Sequence, residues 1–232
     1  PPADGAPGDL DPTFGNAGRL SLGEYGPVWS LEVDDDGGGF LAGGDYYCYW
    51  GDCSASSFAQ PFSNAGVPDL EYTHADLSDL LILDAVRQPD GKLVGVGREV
   101  PGPSLTVFRL MPDGTRDPTF GADGVVRYTS NDSSHVATSV ILEPDGRIVV
   151  AGARDGALLL LRLLGDGTRD PDFGNDGVVI RTEGVYVYDL QLARAPDGGY
   201  RVTTQTDTLM VGRCRIVALT ADGAPDLSFG AG

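Results

Sequence analysis

Apolar residues in this chain come in short bursts, each stopped by aspartate, proline or glycine. Residues 135–143 (HVATSVILE) are rich in β-formers and end at Pro144-Asp145-Gly146. Residues 147–153 (RIVVAGA) follow and end at Arg154-Asp155-Gly156. Residues 157–164 form a third burst; the connector 165–174 leads to a short fourth, residues 177–181. Bursts this short, bounded by turn residues, predict antiparallel strands joined by tight reversals. No stretch shows the 3.6-residue period or the capped length of a helix.

The same order recurs along the chain. Residues 81–86, 92–97, 105–110 and 124–128 repeat it, with Pro89-Asp90-Gly91 as the first turn. Residues 189–193, 200–204 and 215–219 repeat three of the four bursts. Residues 28–33 and 40–44 open a divergent copy that continues into a long aromatic stretch and lacks the Gly-Val-Val burst after Tyr72. A phrase closes each unit: Asp11-Pro12-Thr13-Phe14-Gly15, a decayed Pro68-Asp69-Leu70-Glu71-Tyr72, Asp117-Pro118-Thr119-Phe120-Gly121, Asp170-Pro171-Asp172-Phe173-Gly174 and Asp226-Leu227-Ser228-Phe229-Gly230. Its aromatic positions lie 58, 48, 53 and 56 residues apart, a period that marks a repeat architecture.

Four strands per repeat, too few to bury both sheet faces alone, predict blades stacked about an axis. The expected fold is all-β: a β-propeller of four four-stranded antiparallel blades. Residues 1–9 read as a flexible lead-in and 10–232 as one domain, with repeats at about 15–72, 73–120, 121–173 and 174–230. Because the chain starts and stops inside the same connector, residues 19–22 are expected to supply the last strand of the last blade and close the ring. The alternative is an arc of a larger ring, completed by a second copy or by further blades.

Residues 88–97 (QPDGKLVGVG), 108–121 (FRLMPDGTRDPTFG) and 124–126 (GVV) carry a resemblance, which the third repeat copies almost position by position. They are similar to the delta-60 repeat family, an uncharacterised bacterial group. The resemblance implies a propeller, usually with more repeats, on exported bacterial proteins. It implies no known chemistry, so no catalytic residue is carried over.

The recurring phrase has a structural explanation. Asp-Gly suits a tight turn, and an aspartate before proline stays extended with its carboxylate free to accept backbone N–H bonds. Phe120 and Phe173 are expected to plug the gaps between blades. Calcium is the competing explanation for the acids at Asp34-Asp35-Asp36, Asp113, Asp117, Asp123, Asp166, Asp170 and Asp176. None follows the EF-hand or nonapeptide spacing, so no cofactor or metal is expected, with calcium kept as the less favoured alternative.

Composition narrows the partners. Thirty-four acids against 16 basic residues give a net charge of −18, which repels nucleic acid and anionic lipid. No apolar run is long enough for a helical membrane span. The chemistry-bearing candidates are few. His74 with Asp76 and Asp79 is the only local ligand-like cluster; His74 and His135 are expected as solvated loop residues. No Gly-x-Ser-x-Gly elbow, Walker loop, HExxH or dinucleotide fingerprint occurs.

The most distinctive segment is Asp45-Tyr46-Tyr47-Cys48-Tyr49-Trp50-Gly51-Asp52-Cys53, placed where the third repeat has only a short turn. In an oxidising compartment Cys48 and Cys53 are expected to form a disulfide; elsewhere they are two loop thiols. Tyr46, Tyr47, Tyr49 and Trp50 suit a rigid binding projection, or they fold back to cover the outer edge of the first blade. Tyr25 and Tyr186 are expected on the same face of the molecule. Together these features suggest an exported, non-catalytic binding or scaffold module, secreted, periplasmic or on the bacterial cell surface, with a protein or glycan partner. It would act as a monomer or a two-copy ring. A polysaccharide hydrolase or lyase with an axial site, and a purely structural segment of a larger assembly, are the alternatives.

Overall fold

The computed structural model describes residues 9–22, 26–49, 52–72, 77, 79–129, 135–182, 186–208 and 211–230, excepting the side chains of 52, 186–189, 205–208 and 211–213. Among the described residues, fourteen strands form four antiparallel sheets in chain order. Blade one holds β1 (Val28–Val33), β2 (Gly39–Tyr49) and β3 (Asp52–Phe62). Blade two holds β4 (Leu80–Arg87), β5 (Leu93–Glu99), β6 (Leu105–Leu110) and β7 (Val125–Tyr128). Blade three holds β8 (His135–Leu142), β9 (Ile148–Arg154), β10 (Ala157–Leu163) and β11 (Val178–Arg181). Blade four holds β12 (Tyr186–Arg194), β13 (Tyr200–Thr208) and β14 (Val211–Leu219).

The turns set this order. At Pro89-Asp90-Gly91 the Gly91 amide donates to the Gln88 carbonyl (2.9 Å), and the Asp90 carboxylate accepts from the Lys92 amide (3.2 Å). The chain thus reverses within a few residues, and alternate side chains of each strand fall on opposite sheet faces. Both faces of a middle blade are covered, so β10 is buried at every position from Ala157 to Leu163. One core layer joins blade two (Val94, Val96, Val107) to blade three (Ile148, Val150, Leu161). The next joins Val149, Ala151 and Leu160 of blade three to Leu192, Tyr200 and Val202 of blade four.

Each first strand carries a bulge at the same place: Val28/Ser30, Ile82/Asp84, Ala137/Ser139 and Tyr188/Gln191. In the first three blades the polar residue there reaches into the next blade. Ser30 Oγ accepts from the Ala85 amide (3.3 Å), Asp84 Oδ2 from the Val140 amide (2.9 Å) and Ser139 Oγ from the Leu192 amide (3.2 Å). Ser30 also donates to Asp84 Oδ1 (2.9 Å). A bulge frees one backbone N–H from its ladder, and here the neighbouring blade satisfies it.

Two expectations are corrected. Residues 19–22 form no strand with β14; the last sheet is β12–β13–β14, and ring closure is not seen. The N-terminal phrase sits instead on blade one, where the Gly15 amide donates to the Ala65 carbonyl (2.7 Å) and the Phe14 ring meets Phe62 edge-on at 6.1 Å. These local contacts hold it there, at the opposite end of the stack from β14. His135 is not a solvated loop residue: it starts β8 and is buried, its ring edge-on to Tyr128 at 5.3 Å.

Candidate functional site

The first-blade hairpin is the feature that departs from the repeat. β2 and β3 stay paired without interruption from Gly39↔Phe62 to Tyr49↔Asp52, where the third blade's hairpin ends at Arg154↔Ala157. The aromatic segment therefore continues the strands outward rather than folding back across the blade's outer edge. Cys48 faces Cys53 in register, and the two are joined in a disulfide. Alternation then sorts the tyrosines. Tyr47 and Tyr49 share one face and are 60% and 73% exposed. Tyr46 points to the other, where Arg98 of β5 stacks on its ring at 4.5 Å and its hydroxyl lies 2.7 Å from Cys48 Sγ. Contact with Arg98 moors the hairpin to the next blade.

Antiparallel order puts the β2–β3 tip, the start of β8 and the start of β12 at the same end of the blades. Tyr186, the first residue of β12, thus has its backbone on that face. Its side chain, and Tyr25, Trp50, His74 and Asp76, lie outside the described residues. Blade four carries a second long hairpin on this face, pairing Tyr200↔Leu219 through Thr208↔Val211. Sequence reasoning stopped its strands at 204 and 215, because residues 205–209 (QTDTL) carry little apolar alternation.

The repeated phrase is occupied with structure. Asp117 Oδ1 accepts from the Thr119 amide (2.9 Å) and hydroxyl (2.6 Å), and Oδ2 from Arg109 Nε (2.8 Å). Asp170 repeats this with Arg162 (2.7 Å), and both pairs are buried. Each guanidinium also lies over its phrase's ring, Arg109 on Phe120 at 4.6 Å and Arg162 on Phe173 at 4.5 Å. The remaining nitrogens reach the following blade, Arg109 at the Gly165 carbonyl and Arg162 at the Ala221 carbonyl (2.7 Å). Beside them the Gly121 and Gly174 amides donate to the Asp166 and Asp222 carbonyls. The two arginines were missed as partners of the phrase; their recurrence eight residues before Asp117 and Asp170 was the signal available.

These bonds shape the electrostatics. Burial alone would raise Asp117, but Thr119, Lys92 and Arg109 together hold it well below its ordinary value. Asp84 is raised by burial, against the bonds from Val140, Ser30, Ala85 and Ser139. Tyr200 is pushed up to about 12 by burial and by its bond to Glu143 (2.6 Å), which outweigh Arg162. A hollow of about 380 Å³ opens beside this cluster, lined by Glu143, Arg147, Arg162 and Arg194. Another of about 570 Å³ lies by Asp34, Asp36, Asn64 and Arg87. Several of the acids considered for calcium have protein partners: Asp34 pairs with Arg87, and Asp113 and Asp166 cap Thr115 and Thr168 in their own turns. Among the described residues no group of three or more His, Cys, Asp or Glu is arranged to hold a metal ion, and no helix is long and apolar enough to cross a membrane.

No curated protein matches the sequence. A protein of unknown function from Dyadobacter fermentans DSM 18053 is similar in structure, with a TM-score of 0.51 and 13% identity over 84% of this chain. The chain spans only 60% of that protein. A GH43 β-1,3-galactosidase solved with galactodeoxynojirimycin has a TM-score of 0.53 and 10% identity, covering 86% of this chain and 78% of its own. At these identities the likeness shows the fold alone. Within the sequence, residues 88–120 and 143–173, each ending on the aromatic residue of the phrase, match the beta-propeller family described as a domain of unknown function, DUF5122.

Proposed function

We propose that this chain is a non-catalytic, exported binding or scaffold module that meets a protein or glycan partner through its first-blade hairpin. One observation carries the reading. Tyr47 and Tyr49 project side by side from a disulfide-clamped hairpin, whereas most other large aromatics among the described residues are drawn into the blades. Tyrosines held on a rigid support bring contact area at low entropic cost. Trp50, Tyr25 and Tyr186 complete the proposed surface. The disulfide fits an oxidising compartment outside the cytoplasm.

The axial alternative, a hydrolase, finds no support at Asp84. Both oxygens of that carboxylate are held by neighbouring blades, and its environment serves packing.

The test replaces Tyr47 and Tyr49 with serine and measures binding to a glycan array and to biotinylated bacterial envelope proteins. A loss of about tenfold or more against either panel is expected, as for anchors at the centre of an interface. Equal binding by a variant with an unchanged circular dichroism spectrum would remove the hairpin from consideration.

A further inference from the structure

One seat in the repeat is built but left without its cation. In blades two and three the phrase holds a guanidinium in three ways. The aspartate takes Nε, the aromatic ring lies beneath the guanidinium carbon, and a carbonyl of the following blade, at Gly165 or Ala221, takes Nη1. A second cation flanks each aspartate, Lys92 on Asp117 at 3.1 Å and Arg147 on Asp170 at 3.4 Å. In blade four Arg201 reaches Asp226 and Phe229 from the neighbouring strand.

Blade one keeps the seat. The Asp69 amide donates to the Pro61 carbonyl (3.0 Å), as Asp117 does to Arg109 and Asp170 to Arg162, so Pro61 stands where those arginines stand. Asp69 Oδ1 accepts from the Glu71 amide (3.0 Å), as Asp117 Oδ1 does from Thr119 and Asp170 Oδ1 from Asp172. Tyr72 holds the place of Phe120 and is buried. Turn bonds align Pro112 with Gly165 and Ala221, because Met111, Leu164 and Thr220 each donate to the carbonyl four residues on. None of the three cation positions is basic here: Pro61 replaces Arg109, Gly38 replaces Lys92 and Phe40 replaces Arg201. What remains is a hollow of about 230 Å³ between blades one and two, lined by Phe40, Pro61, Asp69, Tyr72, Arg87 and Pro112. Asp69 is exposed, whereas Asp117 and Asp170 are buried, and among the described residues no basic side chain pairs with it.

We propose that this hollow receives a guanidinium from outside the chain, an arginine side chain presented by a basic polypeptide. Arg87 also lines the hollow but is committed: Nη1 pairs with Asp34 at 2.5 Å, and the guanidinium lies over Phe40 at 5.6 Å. The larger hollow beside it shares Pro61, Asp69 and Arg87 and adds Asp34 and Asp36, so acids outnumber Arg87 around the seat. The net charge of −18 draws a basic partner toward it. A guanidinium meets carboxylate, ring and carbonyl at once, whereas an ammonium lacks the planar fork. The seat lies at the turn end of the blades, away from the β2–β3 tip, so it stands or falls independently of the tyrosine surface.

The test is isothermal titration calorimetry of the chain with the blocked peptide acetyl-Gly-Arg-Gly-amide. Saturable one-to-one binding is expected. It should weaken for the lysine peptide and for free arginine, whose carboxylate meets the acidic surround, and vanish for the citrulline peptide, which keeps the shape and drops the charge. Asp69→Asn should weaken the arginine peptide about tenfold or more. Pro61→Arg supplies the missing side chain from within: it should abolish binding and raise the melting temperature, while Pro61→Ala leaves the seat open and binding intact. Asp69 lies on an exposed turn, so its variant and the ligand series decide the matter even where Pro61→Arg unfolds. No binding of the arginine peptide overturns the proposal. So does equal binding of the lysine, citrulline or free-arginine ligand, undiminished binding in Asp69→Asn or in folded Pro61→Arg, or an equal loss in Pro61→Ala and Pro61→Arg.

Discussion

Arg201 stands directly across the β13–β14 ladder from Ala218, the reverse of blades two and three, where Arg109 and Arg162 occupy the Ala218 place and face Val94 and Val149. From the other strand Arg201 still reaches the phrase: its guanidinium meets Asp226 at 3.1 Å and lies over Phe229 at 4.8 Å. The charge has moved one strand sideways and kept its partners. Arg201→Val should therefore lower the melting temperature, and adding Ala218→Arg should recover it. A double variant no more stable than the single one, in a thermal melt, would break the equivalence.

The buried pair in blade three is expected to matter most among the ion pairs. Removing Arg162 strips Asp170 of its nearer cation, takes one contact from the Tyr200 hydroxyl, which stays bonded to Glu143, and cuts the bond to Ala221 in blade four. Arg162→Ala should cost about 3–5 kcal/mol in urea unfolding, the range for a broken buried pair. Arg154→Ala, whose ion pair with Asp155 is solvent-exposed, should stay within about 0.5 kcal/mol. Equal effects would show that the phrase is not what joins blades three and four.

Two glycines separate turn strain from blade contact. Gly146 and Gly167 both adopt φ near +88°. A Cβ on Gly146 meets nothing within 4 Å, whereas one on Gly167 falls 2.9 Å from the Gly121 amide and 3.0 Å from the Phe120 ring. Gly146→Ala should cost about 1–2 kcal/mol, the strain of a left-handed alanine. Gly167→Ala should cost measurably more, because Phe120 must also leave its seat. Chemical denaturation of the two variants side by side decides this.

Acid should loosen the fold through the phrase. Asp117 lies below the ordinary aspartate value of 3.8, so the stability it lends is present above that pH and fades as pH falls beneath it. Asp84 has the opposite sign: raised by burial, it favours the fold below 3.8 and loses that contribution as pH climbs through its folded value. Stability measured against pH should flatten on its acid limb in Asp117→Asn, and on its approach to neutrality in Asp84→Asn. Unaltered slopes in both would deny these carboxylates their place in the pH response.

Much of this architecture is written locally and is therefore legible. Pro-Asp-Gly turns and bursts of Val, Ile and Leu act within a few residues, and they place blades two and three and the β7 and β11 strands. The Cys48–Cys53 pair could be read for the same reason, since a hairpin alternates by twos, whereas whether the tyrosines project or fold back could not. What could not be read depends on distant partners. Arg109 and Arg162 look like ordinary strand ends until their carbonyl acceptors in the next blade are in view. His135 resembles a loop residue until Tyr128 and the Pro103 carbonyl enclose it. Whether residues 19–22 find β14 depends on the rotation summed over four blades, a quantity no single repeat encodes.

The side-chain bonds between blades span nearly constant intervals: 54 residues for Ser30 to Asp84, 56 for Asp84 to Val140 and for Arg109 to Gly165, 53 for Ser139 to Leu192 and 59 for Arg162 to Ala221. Each blade consults only its successor. Duplication or loss of one whole unit therefore leaves every surviving residue with a correspondent, and the length of the array can drift by recombination without a single compensating substitution inside it.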